Sequence, residues 1–151
     1  IAPLLNLGFF DSDTEIESAA GMSIAEIFEN YGEAEFRSLE RRIFERLLDG
    51  TPKIIAAGGG ASVQDDTRAV IQEGAVSMWL QAKLSVLVSR TQKRGNRPIL
   101  AGKDHRVVLR DLMQKRRPAY EKATLSVFSG PESIDKTVRA ALDALKGHFK
   151  P

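Results

Sequence analysis

Asp11-Ser12-Asp13 sets two carboxylates two residues apart, directly after the apolar run Leu7 to Phe10. On an extended backbone such a pair shares one face, so one carboxylate can hold a metal while the other contacts a substrate hydroxyl. The alternative is a strand-to-helix turn in which an Asp caps the helix. Gly58-Gly59-Gly60 follows a second apolar run, Lys53 to Ala57, and bare glycine backbone lets a ligand come close to N–H groups. A plain flexible turn is the other reading, and the triplet is neither a GxGxxG motif nor a Walker A loop. Arg37 precedes Glu40 by three residues, close enough on a helix for an ion pair. Such a pair either orients the guanidinium as a fork for a carboxylate or is a solvated surface contact of little energetic value. Arg97, in Asn96-Arg97-Pro98-Ile99-Leu100, and Arg116, in Arg116-Arg117-Pro118-Ala119-Tyr120, can neutralise anionic ligand groups or serve only as surface charge. His105 and His148 are too few and too isolated for a metal site or a triad.

The elements that must carry these residues alternate. Leu7 to Phe10, Lys53 to Ala57, Ala75 to Leu80 and Thr124 to Phe128 read as buried strands, apolar throughout. Between them lies a helix start at Ser23, with Glu26 as the other half of a capping box and Met22 with Ile27 as a hydrophobic staple. A longer helix follows, with Phe36, Leu39, Ile43, Leu47 and Leu48 on one stripe and Gly50 past its end. Further helices are predicted over Asp65 to Glu73, Lys83 to Gln92, Val107 to Lys115 (ending near Pro118) and Ser133 to Lys146, the last stopped by Gly147 with Ile134, Val138, Leu142 and Leu145 inward. Residues 93–106 are polar, with Gly95, Pro98 and Gly102, and read as a mobile loop. Apolar strands alternating with helices predict an α/β fold, a three-layer αβα arrangement with a parallel sheet, as a single domain over 1–151. Ligands in such folds sit at the carboxyl ends of strands, the edge where Asp11, Asp13 and Gly58 to Gly60 fall.

Composition narrows the function classes. The 151 residues are 42% hydrophobic and 28% charged, which excludes a disordered tail or a collagen-like fibre. There is no cysteine, hence no disulfide framework, thiolate zinc site or cysteine nucleophile. No run approaches the ~18 apolar residues of a membrane span, and the first residues are not a signal peptide. Charge is uneven: Asp11 to Asp49 carries 11 acidic and 4 basic residues, Arg90 to Lys122 carries 11 basic and 3 acidic. A basic block can serve nucleic acid or an anionic small ligand. The aromatic stacking platform of a single-strand binder is missing, which points away from nucleic acid.

Taken in order, Phe10-Asp11-Ser12-Asp13-Thr14-Glu15-Ile16-Glu17, Glu35-Phe36-Arg37-Ser38-Leu39-Glu40, Gly58-Gly59-Gly60, Arg97-Pro98-Ile99-Leu100 and Arg116-Arg117-Pro118-Ala119-Tyr120 resemble shikimate kinase, in the nucleoside-monophosphate-kinase-like branch of P-loop kinases. The resemblance covers nearly the whole chain. It implies transfer of the ATP γ-phosphoryl group to the 3-hydroxyl of shikimate, with Mg2+, by a cytoplasmic monomer. It also implies roles. Asp13 would bind the hydroxyl and help its deprotonation, and Asp11 would sit in the magnesium shell. Arg37 and Arg116 would clamp the carboxylate, with Gly58, Gly59 and Gly60 lining the substrate and Gly59 and Gly60 giving N–H groups to it. Glu40 would orient Arg37, and Phe28 and Phe36 would form an apolar wall. Arg97 would be the lid arginine on the transferring phosphate, in a lid of about 93–106, and Arg90 would stack on adenine.

Two departures stand out. Ala57 occupies a place where the family commonly has Thr or Ser, and no G-x-x-x-x-G-K-[ST] is present. A preceding strand, phosphate loop and helix of on the order of 30 residues is therefore expected, contributing the central strand of the sheet and the nucleotide cradle. The alternatives are a non-catalytic shikimate-kinase-like binding module or a gluconate-kinase-like enzyme. Paired arginines with Asp13 favour shikimate over gluconate.

Overall fold

The computed structural model describes residues 1–92 and 104–150. It resolves into two compact units, Ile1–Ser77 and Met78–Pro151. In the first, α1 (Ala2–Leu5) leads into β1 (Gly8–Asp11), α2 (Ser12–Ala20), α3 (Ile24–Leu47), β2 (Lys53–Ala56), a short 3-10 turn at Ala61–Val63 and α4 (Asp65–Gly74). β1 and β2 pair in parallel, in register from Gly8 with Lys53 to Asp11 with Ala56. Both strands therefore end at one edge, and the Asp11 and Gly58 segments leave it side by side. α2 and α4 pack on α3. The core joins Ile16 of α2 to Ile27, Phe36, Ile43 and Leu47 of α3, with a second cluster of Phe44, Ala61 and Ile71.

α3 starts as its sequence requires. Ser23 Oγ accepts from Glu26 N while the Glu26 carboxylate accepts from Ser23 N, a closed capping box. Met22 packs against the cluster that contains Ile27. The short helix and the longer one predicted after it form one element, broken at Gly32. α2 is not among the predicted helices. Its only large apolar residue is the fully buried Ile16, so it shows little periodicity, and its start is set by the cap at Asp11.

The second unit holds β3 (Met78–Gln81), α5 (Leu84–Gln92), α6 (His105–Tyr120), β4 (Leu125–Phe128) and α7 (Ile134–Phe149). β3 and β4 pair in parallel from Met78 with Leu125 to Gln81 with Phe128. Four boundaries differ from expectation, the first being β3, which starts at Met78 and not at Ala75. α6 begins at His105, because Asp104 caps it through Arg106 N, so His105 and Arg106, expected in the loop, are helical. α6 also runs two residues past Pro118, which falls in its last turn. Gly147 does not end α7, which continues to Phe149, and Ile134, expected inward, is an exposed residue of its first turn. Residues 93–103, with Arg97 and most of the expected lid, lie outside the described residues. Among the described residues no helix is long and apolar enough to cross a membrane.

Candidate active site

The acidic pair is built by a strand running into a helix. Asp11 keeps extended backbone (φ −104°, ψ 120°) and its Oδ1 accepts from Asp13 N at 2.9 Å and Thr14 N at 3.4 Å. Asp11 is thus an N-cap, and Asp13 stands in the first turn of α2; the two do not share one face of an extended stretch. Burial pushes the Asp13 carboxyl above its usual range, and the charges of Asp11 and Glu17 add to the rise.

Ser12, between the two acids, has a role that spacing did not reveal. It is fully buried, and its Oγ accepts from Gly58 N at 3.0 Å. This bond ties the glycine segment to the start of α2. Gly58 then lies so close to Asp13 that a methyl group there would come 2.7 Å from Asp13 Oδ1, and one at Gly60 would come 2.8 Å from Arg37 Nη1. A methyl at either position would displace the end of the Asp13 or the Arg37 side chain, and both side chains therefore lie directly against the glycine segment. Asp13, the glycines and Arg37 come together.

Arg37 is held from both sides along α3. Nη1 donates to Glu40 Oε2 at 3.0 Å, and Nε and Nη2 donate to Glu33 Oε1 at 3.4 and 3.2 Å. The Glu40 side chain is only 2% exposed, against 25% for Arg37 and 65% for Glu33. The Arg37–Glu40 contact is thus no solvated surface pair. Burial raises the Glu40 pKa, the Arg37 guanidinium opposes that rise, and the Asp13 charge adds to it. Glu33 was not singled out from sequence, though its place four residues before Arg37 was a signal. Phe28 and Phe36 stack with centroids 4.6 Å apart, and the Arg37 guanidinium carbon lies 5.1 Å from the Phe36 ring centroid.

In the second unit Arg90, on α5, donates to Ser129 Oγ at 2.9 Å and to the Gly130 carbonyl at 2.7 Å, just after β4. Arg116 is half-buried on α6. Arg97 falls outside the described residues. Among the described residues no three His, Asp or Glu side chains gather into a metal cage.

A family model described as shikimate kinase matches residues 1–146. The chain is similar to a shikimate kinase from Brucella canis, 44% identical over 150 residues, covering 99% of this chain and 75% of the relative. It is also similar to one from Caulobacter vibrioides, 47% identical over 146 residues, covering 97% and 73%. Among solved structures, shikimate kinase from Acinetobacter baumannii in complex with shikimate superposes with a TM-score of 0.86 at 30% identity, covering 99% of this chain and 84% of that one. With an acid-capped helix, a close-packed glycine segment and a buried Glu–Arg pair in one unit, and a family match over nearly its whole length, the chain belongs to the shikimate kinase family, that of ATP:shikimate phosphotransferases.

Proposed function

We propose that Asp13, Arg37 and Gly58 to Gly60 bind shikimate and that Asp13 accepts the proton of the hydroxyl that attacks ATP. The observation that carries this is the approach of Gly58 to Asp13 and of Gly60 to Arg37. Gly58 and Gly60 are two residues apart, so a proton acceptor and a guanidinium lie against one short backbone segment, as a substrate bearing both a hydroxyl and a carboxylate requires. Glu40 and Glu33 fix the guanidinium before a ligand arrives, Phe28 and Phe36 cover the ring's apolar edge, and Gly59 and Gly60 give N–H groups to the substrate. Arg116 is the second cation reading the carboxylate.

In the transfer, the hydroxyl oxygen forms a bond to the γ-phosphorus as the bond from that phosphorus to the ADP oxygen breaks, and the hydroxyl proton passes to Asp13. Arg97 stabilises the transferring phosphoryl group, and Arg90 stacks on adenine while its guanidinium edge stays on Ser129 and Gly130. Asp11 would hold Mg2+ through water or directly, and the ion would offset phosphate charge. The protein acts as a cytoplasmic monomer.

Calorimetric titration of shikimate tests the reading. Arg37→Ala and Arg116→Ala should each lose about 2–5 kcal/mol of binding, the scale for removing one partner of a buried charge pair. Lys at either position should restore only part of it, since an ammonium keeps the charge and loses the fork. Unchanged affinity in both Ala variants would sink the assignment of these two arginines to the carboxylate.

A further inference from the structure

α3 is interrupted once, at Gly32, where φ is 80° and ψ is 177° between helical residues 24–31 and 33–47. Glycine takes up this combination readily, and residues with a Cβ do so only at a cost. The break coincides with a contact that a straight helix cannot make. Phe28 and Phe36 are eight residues apart, about 12 Å of rise in an unbroken α-helix, and helical side chains all lean toward the N-terminus. Their rings nevertheless stack at 4.6 Å. The chain must turn between them, and Gly32 is where it turns. The same break starts the second helical segment at Glu33, whose carboxylate then bonds Arg37 one turn later.

We infer that Gly32 is a positioning residue for the substrate: its positive-φ bend holds Phe28 against Phe36 as the apolar side of the pocket beside Arg37. This rests on the proposed reading of Phe28, Phe36 and Arg37 as shikimate contacts. A wall of two rings fixed by backbone favours a ring acid with one apolar edge over an open-chain acid bearing hydroxyls all along its length, whose polar groups it would leave unpaired.

Gly32→Ala is a clean probe, because a methyl there meets no atom within 4 Å and only the backbone preference changes. Gly21, at φ 68° past the end of α2, is equally open, so Gly21→Ala controls for the general cost of filling a positive-φ glycine. Gly32→Ala should raise the shikimate Kd about tenfold or more, the scale of a disturbed apolar contact. Its kcat at saturating shikimate and its KM for ATP should stay within about twofold, the signature of lost uniform binding. Gly21→Ala should bind shikimate normally. Phe28→Ala combined with Gly32→Ala should lose little more than either alone, since both act through one contact. If Gly32→Ala does not fold, D-alanine placed at position 32 by peptide ligation keeps the test alive: its mirror-image preference fits φ 80°, ψ 177°, so it should fold and bind shikimate within about twofold of the unsubstituted protein. Normal shikimate binding by Gly32→Ala, weakened binding by the D-alanine protein, equal weakening by Gly21→Ala, or full additivity with Phe28→Ala would each overturn the inference. Arg37→Ala separates the two levels: if it binds weakly while Gly32→Ala binds normally, only the role of Gly32 falls; if both bind normally, the site reading falls with it.

Discussion

The two units carry their charge differently. In the first, Asp11 caps α2 and Glu40 lies buried under Arg37, while the neutral Ser12 holds Gly58. In the second, Arg90 bonds to Ser129 and Gly130, Arg116 is half-buried, and Arg117 pairs with Glu121 in solvent. A buried charge that loses its partner costs stability, whereas an exposed one costs little. Arginines with the same proposed work therefore differ in what else their removal does.

Arg37→Ala should show the largest effect, because it strands the Glu40 carboxylate. With Arg37 itself a quarter exposed, the expected destabilisation at neutral pH is about 2–4 kcal/mol, somewhat under the full scale for breaking a buried pair. The sign with pH follows from Glu40, whose pKa already stands above its usual value. Loss of the guanidinium raises it further, so the penalty is present at neutral pH and fades as acid protonates the carboxyl. Arg116→Ala should cost less than about 0.5 kcal/mol of stability while still weakening shikimate binding. Urea denaturation at neutral and acidic pH measures both, and equal destabilisation would break the distinction between the units.

The same contrast governs what could be read from the amino-acid order. The four strands were legible as short apolar runs, although Phe9, Leu80 and Phe128 within them are exposed and not buried as expected, and the start of α3 was legible because a capping box is a local bond pattern. Spacing put Arg37 and Glu40 on one helix, but a gap of three residues is the same for a surface pair and a buried one; only the packing of α3 distinguishes them. Ser12 looked like a spacer between two acids, because its partner Gly58 is 46 residues away. Gly32 gave no signal, since one glycine in a helical pattern is usually a small loss of propensity and here it is a turn. In the second unit, Pro118 signalled a stop that α6 passes by two residues, giving up the bond a proline nitrogen cannot make.

Asp13 sharpens the comparison from the side of chemistry. Its folded-state pKa lies above the model-compound value of 3.8, so the folded chain binds that proton more tightly than the unfolded chain. Stability from this group is therefore greatest in acid and declines as pH rises through the carboxylate range. Asp13→Asn removes the decline: the variant should melt higher than the unsubstituted protein at pH 7, with the gap closing below about pH 3, where both forms of the site are uncharged. Turnover should fall about 100-fold or more, the usual scale for a positioned acid–base group. A variant that melts lower at pH 7 would mean that the charged carboxylate is favoured by its surroundings, and the proton-acceptor role would lose its physical basis.

The smallest effect belongs to the neighbour of a proposed ligand contact. Arg117 follows Arg116 on α6, and its Nε donates to Glu121 Oε1 at 2.7 Å, with side chains 70% and 51% exposed. Such an i,i+4 pair gains little in water, pays side-chain entropy and is screened by salt. Successive residues on a helix point about 100° apart, so Arg117 does not present its charge where Arg116 does. Arg117→Ala should cost less than about 0.5 kcal/mol of stability, and that cost should shrink in high salt. It should leave the shikimate Kd within about twofold, the range expected for a surface change away from the ligand. Thermal melts at low and high salt, with one shikimate titration, check all three. If Arg117→Ala weakened shikimate binding as much as Arg116→Ala, the basic block would be acting as a diffuse field around the substrate, and the assignment of one guanidinium on α6 to the carboxylate would give way to a count of charges.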